Sequence, residues 1–209
     1  MTDEKTPFAA GSVGETLMNM RGIWHDHIHL YQLDGTELND DTVQGSGTPG
    51  ASPFDNLVYL DFDGKNLSLT NVHFKGRPMA AKTFTGKLID GLLVFDPLGA
   101  GAYKNVGMSG GAGILTFNAQ KLSPATDVYM EPDFIILTSP TERVRHTVLY
   151  RHGEANRTLT ARGTKLSNDC SKRHPWDPRG LEGAVHETPF VATIWEHLVT
   201  AGEPSAKKS

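Results

Sequence analysis

The chain has 209 residues, of which 38% are hydrophobic and 21% charged, with 22 glycines and 12 prolines. It is too apolar for a disordered chain, and long enough for one sizeable core but not for two. With 20 Lys and Arg against 24 Asp and Glu the net charge is -4 and no basic stripe forms, which argues against nucleic acid as a partner. No run approaches the ~20 apolar residues of a membrane span, and the N-terminus lacks a cationic start followed by an apolar stretch. The single cysteine, Cys170, has no partner for an internal disulfide. These features lead to the expectation of a cytoplasmic protein without a membrane partner.

Residues 1–12 are polar and small, and read as a disordered N-terminus. Ser12 then stands as a helix N-cap with Glu15 three residues on, ahead of Val13, Leu17, Met18 and Met20 near helical spacing. From Ile23 the period becomes two, and Asp34-Gly35 supplies a tight turn. The same pair recurs at Asp63-Gly64 after the run 57–62, and at Asp90-Gly91 between 82–88 and 92–95. Further strands are expected at 66–75, 112–118, 127–138, 142–152 and 156–164, with His152-Gly153 as another turn. Many strands, tight turns and almost no helix predict an all-β fold, an antiparallel up-and-down barrel over 13–166. Closure of that meander removes its exposed edges.

The segments 45–55 and 97–113 are dense in Gly, Pro and Ser and are expected as long loops, forming a lid if they share one barrel end. After Lys165 the periodicity stops. Residues 167–209 read as a C-terminal extension carrying a short helix from Phe190 to Val199, with Val191, Ile194, Trp195 and Leu198 on one face.

The densest polar cluster is Trp24-His25-Asp26-His27-Ile28-His29. On a strand, His25, His27 and His29 share one face, while Trp24, Asp26, Ile28 and Leu30 share the other. Alternate histidines, about 6.5–7 Å apart, could give two ligands to one metal; an outward, solvated face is the other reading. A carboxylate such as Asp26 among apolar neighbours is either a general acid or base or a structural acceptor for an arginine. In 143–151, the apolar alternation places Val144, His146, Val148 and Tyr150 inward and the arginines outward. Tyr129, Glu131 and Asp133 alternate on a strand that Pro132 interrupts. Neither a phosphate-cradling glycine motif nor a serine-hydrolase elbow is present, and no cofactor is implied.

The run Arg21-Gly22-Ile23-Trp24, at the start of the first strand, resembles the Gly-x-Trp signature that opens the lipocalin, or calycin, barrel. The longer stretch from Gly22 to Tyr31, with Asp34-Gly35 and Leu38, is similar to the opening of an uncharacterised intracellular calycin-like family related to the phycobiliprotein chromophore lyases. The resemblance implies a barrel whose floor is closed by Trp24, an arginine near the end of the last strand packed over it, with Arg162 in that role, and a cavity for one small molecule.

The resulting expectation is a barrel that binds a small, largely apolar organic molecule and converts it by acid–base chemistry without a redox cofactor, as an isomerase, cyclase or lyase. Asp26 and His146 would exchange protons, Tyr150 would orient the ligand, and Trp24, Ile28, Phe62, Phe95, Phe117 and Tyr129 would line the pocket. The alternatives are a non-catalytic carrier or chromophore-handling protein, and a metal-dependent barrel enzyme using His25, His27 and His29. A homodimer is compatible with either.

Overall fold

A computed structural model describes residues 7–38, 52–75, 80–97, 103–121 and 129–180. Helix α1 (Val13–Met20) starts at Ser12, whose Oγ accepts from the Glu15 amide at 3.2 Å, while the Glu15 carboxylate reaches back to the Gly11 amide at 2.5 Å. This reciprocal cap satisfies backbone donors that the first helical turn leaves open. Val13, Leu17 and Met20 form the buried face.

Ten strands come after it: β1 (Gly22–Tyr31), β2 (Phe54–Phe62), β3 (Asn66–Lys75), β4 (Ala80–Ile89), β5 (Leu92–Phe95), β6 (Tyr103–Gly111), β7 (Ile114–Lys121), β8 (Tyr129–Ser139), β9 (Glu142–Arg151) and β10 (Glu154–Ser167). Each pairs antiparallel with its neighbours in sequence, and β1 pairs with β10, so the sheet closes on itself. Asp90-Gly91 and His152-Gly153 both hold positive φ at two consecutive positions, the mirror-image turn that matches strand twist. Asp34-Gly35 also turns the chain, but it leads into one bridge between Tyr31 and Glu37 rather than a second strand.

One expected loop is a strand. β6 occupies 103–111, within the Gly-rich stretch 97–113. Its inward Gly107 sits opposite Phe117, and a Cβ there would lie 3.1 Å from Leu93 and from the Phe117 ring, so the small residue answers a bulky neighbour and does not mark a loop. Residues 45–51 and 98–102 of the expected loops lie outside the described residues, as does the helix expected over 190–199.

One end of the barrel is plugged. Val13, Leu17 and Met20 of α1 pack with Leu60, Phe62, Leu67, Leu93, Leu115 and Phe117, and Phe8, from the segment expected as a tail, packs with its ring tilted 6.0 Å from that of Phe62. Outside the barrel, Ile23, Leu57, Tyr59, Val72 and Ala81 form a second apolar cluster against which Cys170 packs. Tyr59 donates to Asp177 at 2.7 Å and accepts from the His174 amide, which straps the extension to β2. Strand β2 is therefore covered on both faces, and its run of buried residues has no inside–outside alternation.

Candidate functional site

The first strand faces as its period predicts. Trp24, Asp26, Ile28 and Leu30 are buried inside, whereas His27 is exposed and His25 and His29 are partly so. Gly22 precedes them at φ +132, and a Cβ there would collide with the Ser167 carbonyl of β10, so only glycine lets β1 start so close to its neighbour. Trp24 lies on the barrel floor and donates its indole N–H to the Met20 carbonyl at 2.7 Å, where α1 ends.

The cation over Trp24 is Arg143, not Arg162. Arg162 is exposed on the outer face, whereas the Arg143 guanidinium stands 4.5 Å from the tryptophan ring centre, with the Lys165 ammonium at 5.0 Å. Burial, and then Arg143, push the Lys165 pKa down. Arg143 also makes a bidentate pair with Asp26, at 3.0 and 2.7 Å, and both residues are at most 4% exposed. The inward position of β10 beside them is Gly163, where a Cβ would lie 2.7 Å from Arg143 Cγ and closer still to the Asp26 carboxylate. A buried carboxylate, a buried guanidinium and the glycine that makes room for them form one unit.

A second unit stands beside it. Arg145 donates to Asp133 at 2.8 and 3.0 Å and reaches Glu131 at 3.4 Å, and the Thr147 hydroxyl donates to Asp133 at 2.7 Å. Burial opposes the Arg145 charge, but the carboxylates of Asp133 and Glu131 outweigh it and hold the pKa above its usual value.

These contacts reverse the expected faces of β9. Arg143, Arg145, Thr147 and Leu149 point inward, while Val144 and His146 are exposed and Tyr150 shares their outer face. The interior carries its own carboxylates, so it accepts the arginines, and the apolar alternation of Val144 and Val148 faces out. Of the three expected catalytic groups, only Asp26 is inside the barrel; the structure does not bring it together with His146 or Tyr150. Among the expected pocket walls, Phe62 and Phe117 belong to the plugged floor, with Phe95 packed edge-on to Phe117 at 5.9 Å. Ile28 belongs to a higher cluster with Leu30, Leu38, Phe54, Leu159 and Ala161, against which Phe84 packs. Tyr129 begins β8 in register with Lys121 and Arg151.

The outward histidines are engaged by carboxylates. His27 Nδ1 lies 2.6 Å from Asp55, His25 Nε2 lies 3.2 Å from the same oxygen, and His29 Nδ1 lies 2.6 Å from Glu37. Glu37 is held below its usual range by hydrogen bonds from Ser52 and His29. Among the described residues no group of three or more His, Cys, Asp or Glu side chains converges as a metal site.

Beyond Asp26, in the half of the barrel distant from α1, inward side chains among the described residues keep partial exposure. By register Asn71, Lys82, Phe84, Asn105, Ala119 and Lys121 point inward, and all six are partly accessible. Among the described residues Asn105 Oδ1 is buried without a hydrogen-bond partner, and His73 is buried against Asn56. Arg157, which faces inward opposite Leu149, is 7% exposed. The sequence pattern conceals it, because it lies next to a register shift between Ala155 and Arg157 that breaks simple alternation.

No protein-family model matches the chain, and no curated protein matches it in sequence. Solved structures do resemble it. A protein of unknown function from the DUF3598 family of Nostoc punctiforme aligns with TM-score 0.50 and 14% identity over 71% of this chain and 48% of its own. The fold is a calycin-like barrel. The chain spans about half the length of the Nostoc protein. An S-type phycobiliprotein lyase of Guillardia theta aligns with TM-score 0.49 and 12% identity over 77% of this chain and 94% of its own. A redesigned β-barrel bound to the small molecule DFHBI aligns with TM-score 0.35 and 10% identity over 72% of this chain and 99% of its own. No helix among the described residues is long and apolar enough to cross a membrane.

Proposed function

We propose that this calycin-like barrel binds one small organic molecule in the half of its interior distant from α1, and holds it without converting it. The observation that carries the reading is the difference in exposure of inward side chains along the barrel axis. The floor is packed by α1, while the far half keeps inward side chains partly accessible. A barrel of about eight strands has room for its own side chains or one small ligand, and ten strands widen it. Phe84, partly exposed against the cluster of Leu30, Phe54 and Leu159, offers apolar contact, and Asn105 supplies an acceptor without a partner among the described residues, the mixture typical of small-molecule sites.

Binding is favoured over acid–base conversion because the interior carboxylates are engaged. Asp26 is held by Arg143, and Asp133 and Glu131 by Arg145. Native mass spectrometry of the purified protein, with the retained ligand then extracted, tests this reading. One organic molecule per chain, recovered unchanged after incubation, is the expected result. A chemically altered product would overturn the non-catalytic reading. Failure of any small organic molecule to bind the barrel, with the neutral dye N-phenyl-1-naphthylamine as a first probe, would overturn the binding site itself.

A further inference from the structure

A buried charge normally has a partner, because the desolvation of an ion is repaid only by an opposite charge or by hydrogen bonds. The barrel interior keeps that rule at two of its arginines. Arg143 is fixed by Asp26, and Arg145 by Asp133 and Glu131. Arg157 departs from it. The residue is 7% exposed, and its guanidinium has neither a hydrogen bond nor an ion pair among the described residues. Burial alone acts on its pKa, and lowers it.

The surroundings narrow the kind of group that would answer this charge. Arg157 faces Leu149 across the strand pair, and Leu159 is the next inward residue of β10, in register with Leu30 of β1. Leu30, Phe54 and Leu159, with Phe84 packed against them, form a continuous apolar wall on the same side. Arg157 is thus a cation without a partner among the described residues, set beside an apolar surface.

From this we propose that the ligand is an organic acid, its carboxylate paired with Arg157 and its apolar body laid against Leu30, Phe54, Phe84 and Leu159. The inference rests on the binding reading above and specifies its ligand class. A carboxylate suits the site better than a phosphate. One planar guanidinium satisfies one carboxylate through two parallel hydrogen bonds, whereas a dianion would need further unengaged cations.

The test uses the full chain with three probes of matched tail: decanoate, decanol and decyl phosphate, each displacing the neutral dye N-phenyl-1-naphthylamine. Decanoate should compete best, and Arg157→Gln should weaken it by about ten- to a hundredfold while leaving the dye and decanol unchanged. Removal of an unpaired buried charge should also raise the thermal midpoint of Arg157→Met, so that stability and decanoate affinity move in opposite directions. An Arg157→Gln variant that binds decanoate as the parent does, or a preference for decanol, overturns the organic-acid inference and leaves the binding site standing. Tightest binding of decyl phosphate also overturns it. Failure of the dye and all three probes to bind would overturn the site itself, and the inference with it.

Discussion

Below Asp26 the barrel is filled by Leu60, Phe62, Leu67, Leu93, Leu115 and Phe117 packed on α1; above it, the same strands turn Asn71, Lys82, Asn105 and Lys121 inward, each partly exposed. The near half obeys the usual rule for a core, apolar residues closely packed. In the far half inward polarity is retained, and there the proposed ligand site lies. Between the two lies the charged layer of Asp26–Arg143 and Arg145–Asp133–Glu131. Substitutions at Arg143 and Gly163 decide whether that layer belongs to the floor or to the ligand site.

The largest effect is expected at Arg143. Arg143→Met leaves Asp26 buried without its bidentate partner, and should cost about 3–5 kcal/mol in urea unfolding. The double variant Asp26→Leu with Arg143→Met removes both charges and should recover most of that loss. A single variant as stable as the parent would move the pair out of the structural floor and into the ligand site.

Gly163 sharpens the same boundary. Gly163→Ala introduces a methyl group against Arg143 Cγ and the Asp26 carboxylate, and neither can retreat without loosening the pair. Crowding of this kind costs about 1–3 kcal/mol. The loss should shrink when alanine is placed in the background that already lacks both charges, which a double-mutant cycle measures directly.

How much of the fold and the site is legible in the sequence depends on how local the deciding partner is. The Ser12 cap, the Asp-Gly turns and the alternation of β1 are set within a few residues, and the structure obeys them. The facing of β9 is not set locally. Val144 and Val148 read as the inner face until Asp26, 117 residues away in sequence, and Asp133, 12 residues from Arg145, supply buried charges for the arginines. His146 and Tyr150 go to the outer face with the valines, and the expected catalytic group dissolves with them. Likewise the glycines of β6 look like a loop until Phe117 is seen filling the space over Gly107. The inward Arg157 is hidden by the register shift next to it.

The interior also contrasts with the outer strap. The Tyr59 phenol is pushed up to about 12 by burial and by its hydrogen bond to Asp177. Its folded value lies above the usual 10.0, so the stability it contributes is complete below pH 10 and is lost as pH rises towards 12. Trp176, stacked 6.4 Å from Phe74 on the outer face, should report the release as a change in emission that Trp176→Phe abolishes. Tyr59→Phe should cost about 1 kcal/mol and should not alter decanoate affinity, since the barrel interior is untouched. A change in that affinity would join the strap to the ligand site.

The smallest effect is expected where the sequence points first. His146 is exposed on the outer face of β9, opposite Phe134 of β8 and Thr160 of β10. His146→Ala removes a side chain that touches neither the charged layer nor the far half, and surface substitutions of this kind stay within about 0.5 kcal/mol of the parent. Dye binding and decanoate competition should likewise match the parent. If His146→Ala instead abolished binding, the wall between inside and outside drawn through β9 would be misplaced, and Arg143, Arg145 and Thr147 would lose their assignment to the interior with it.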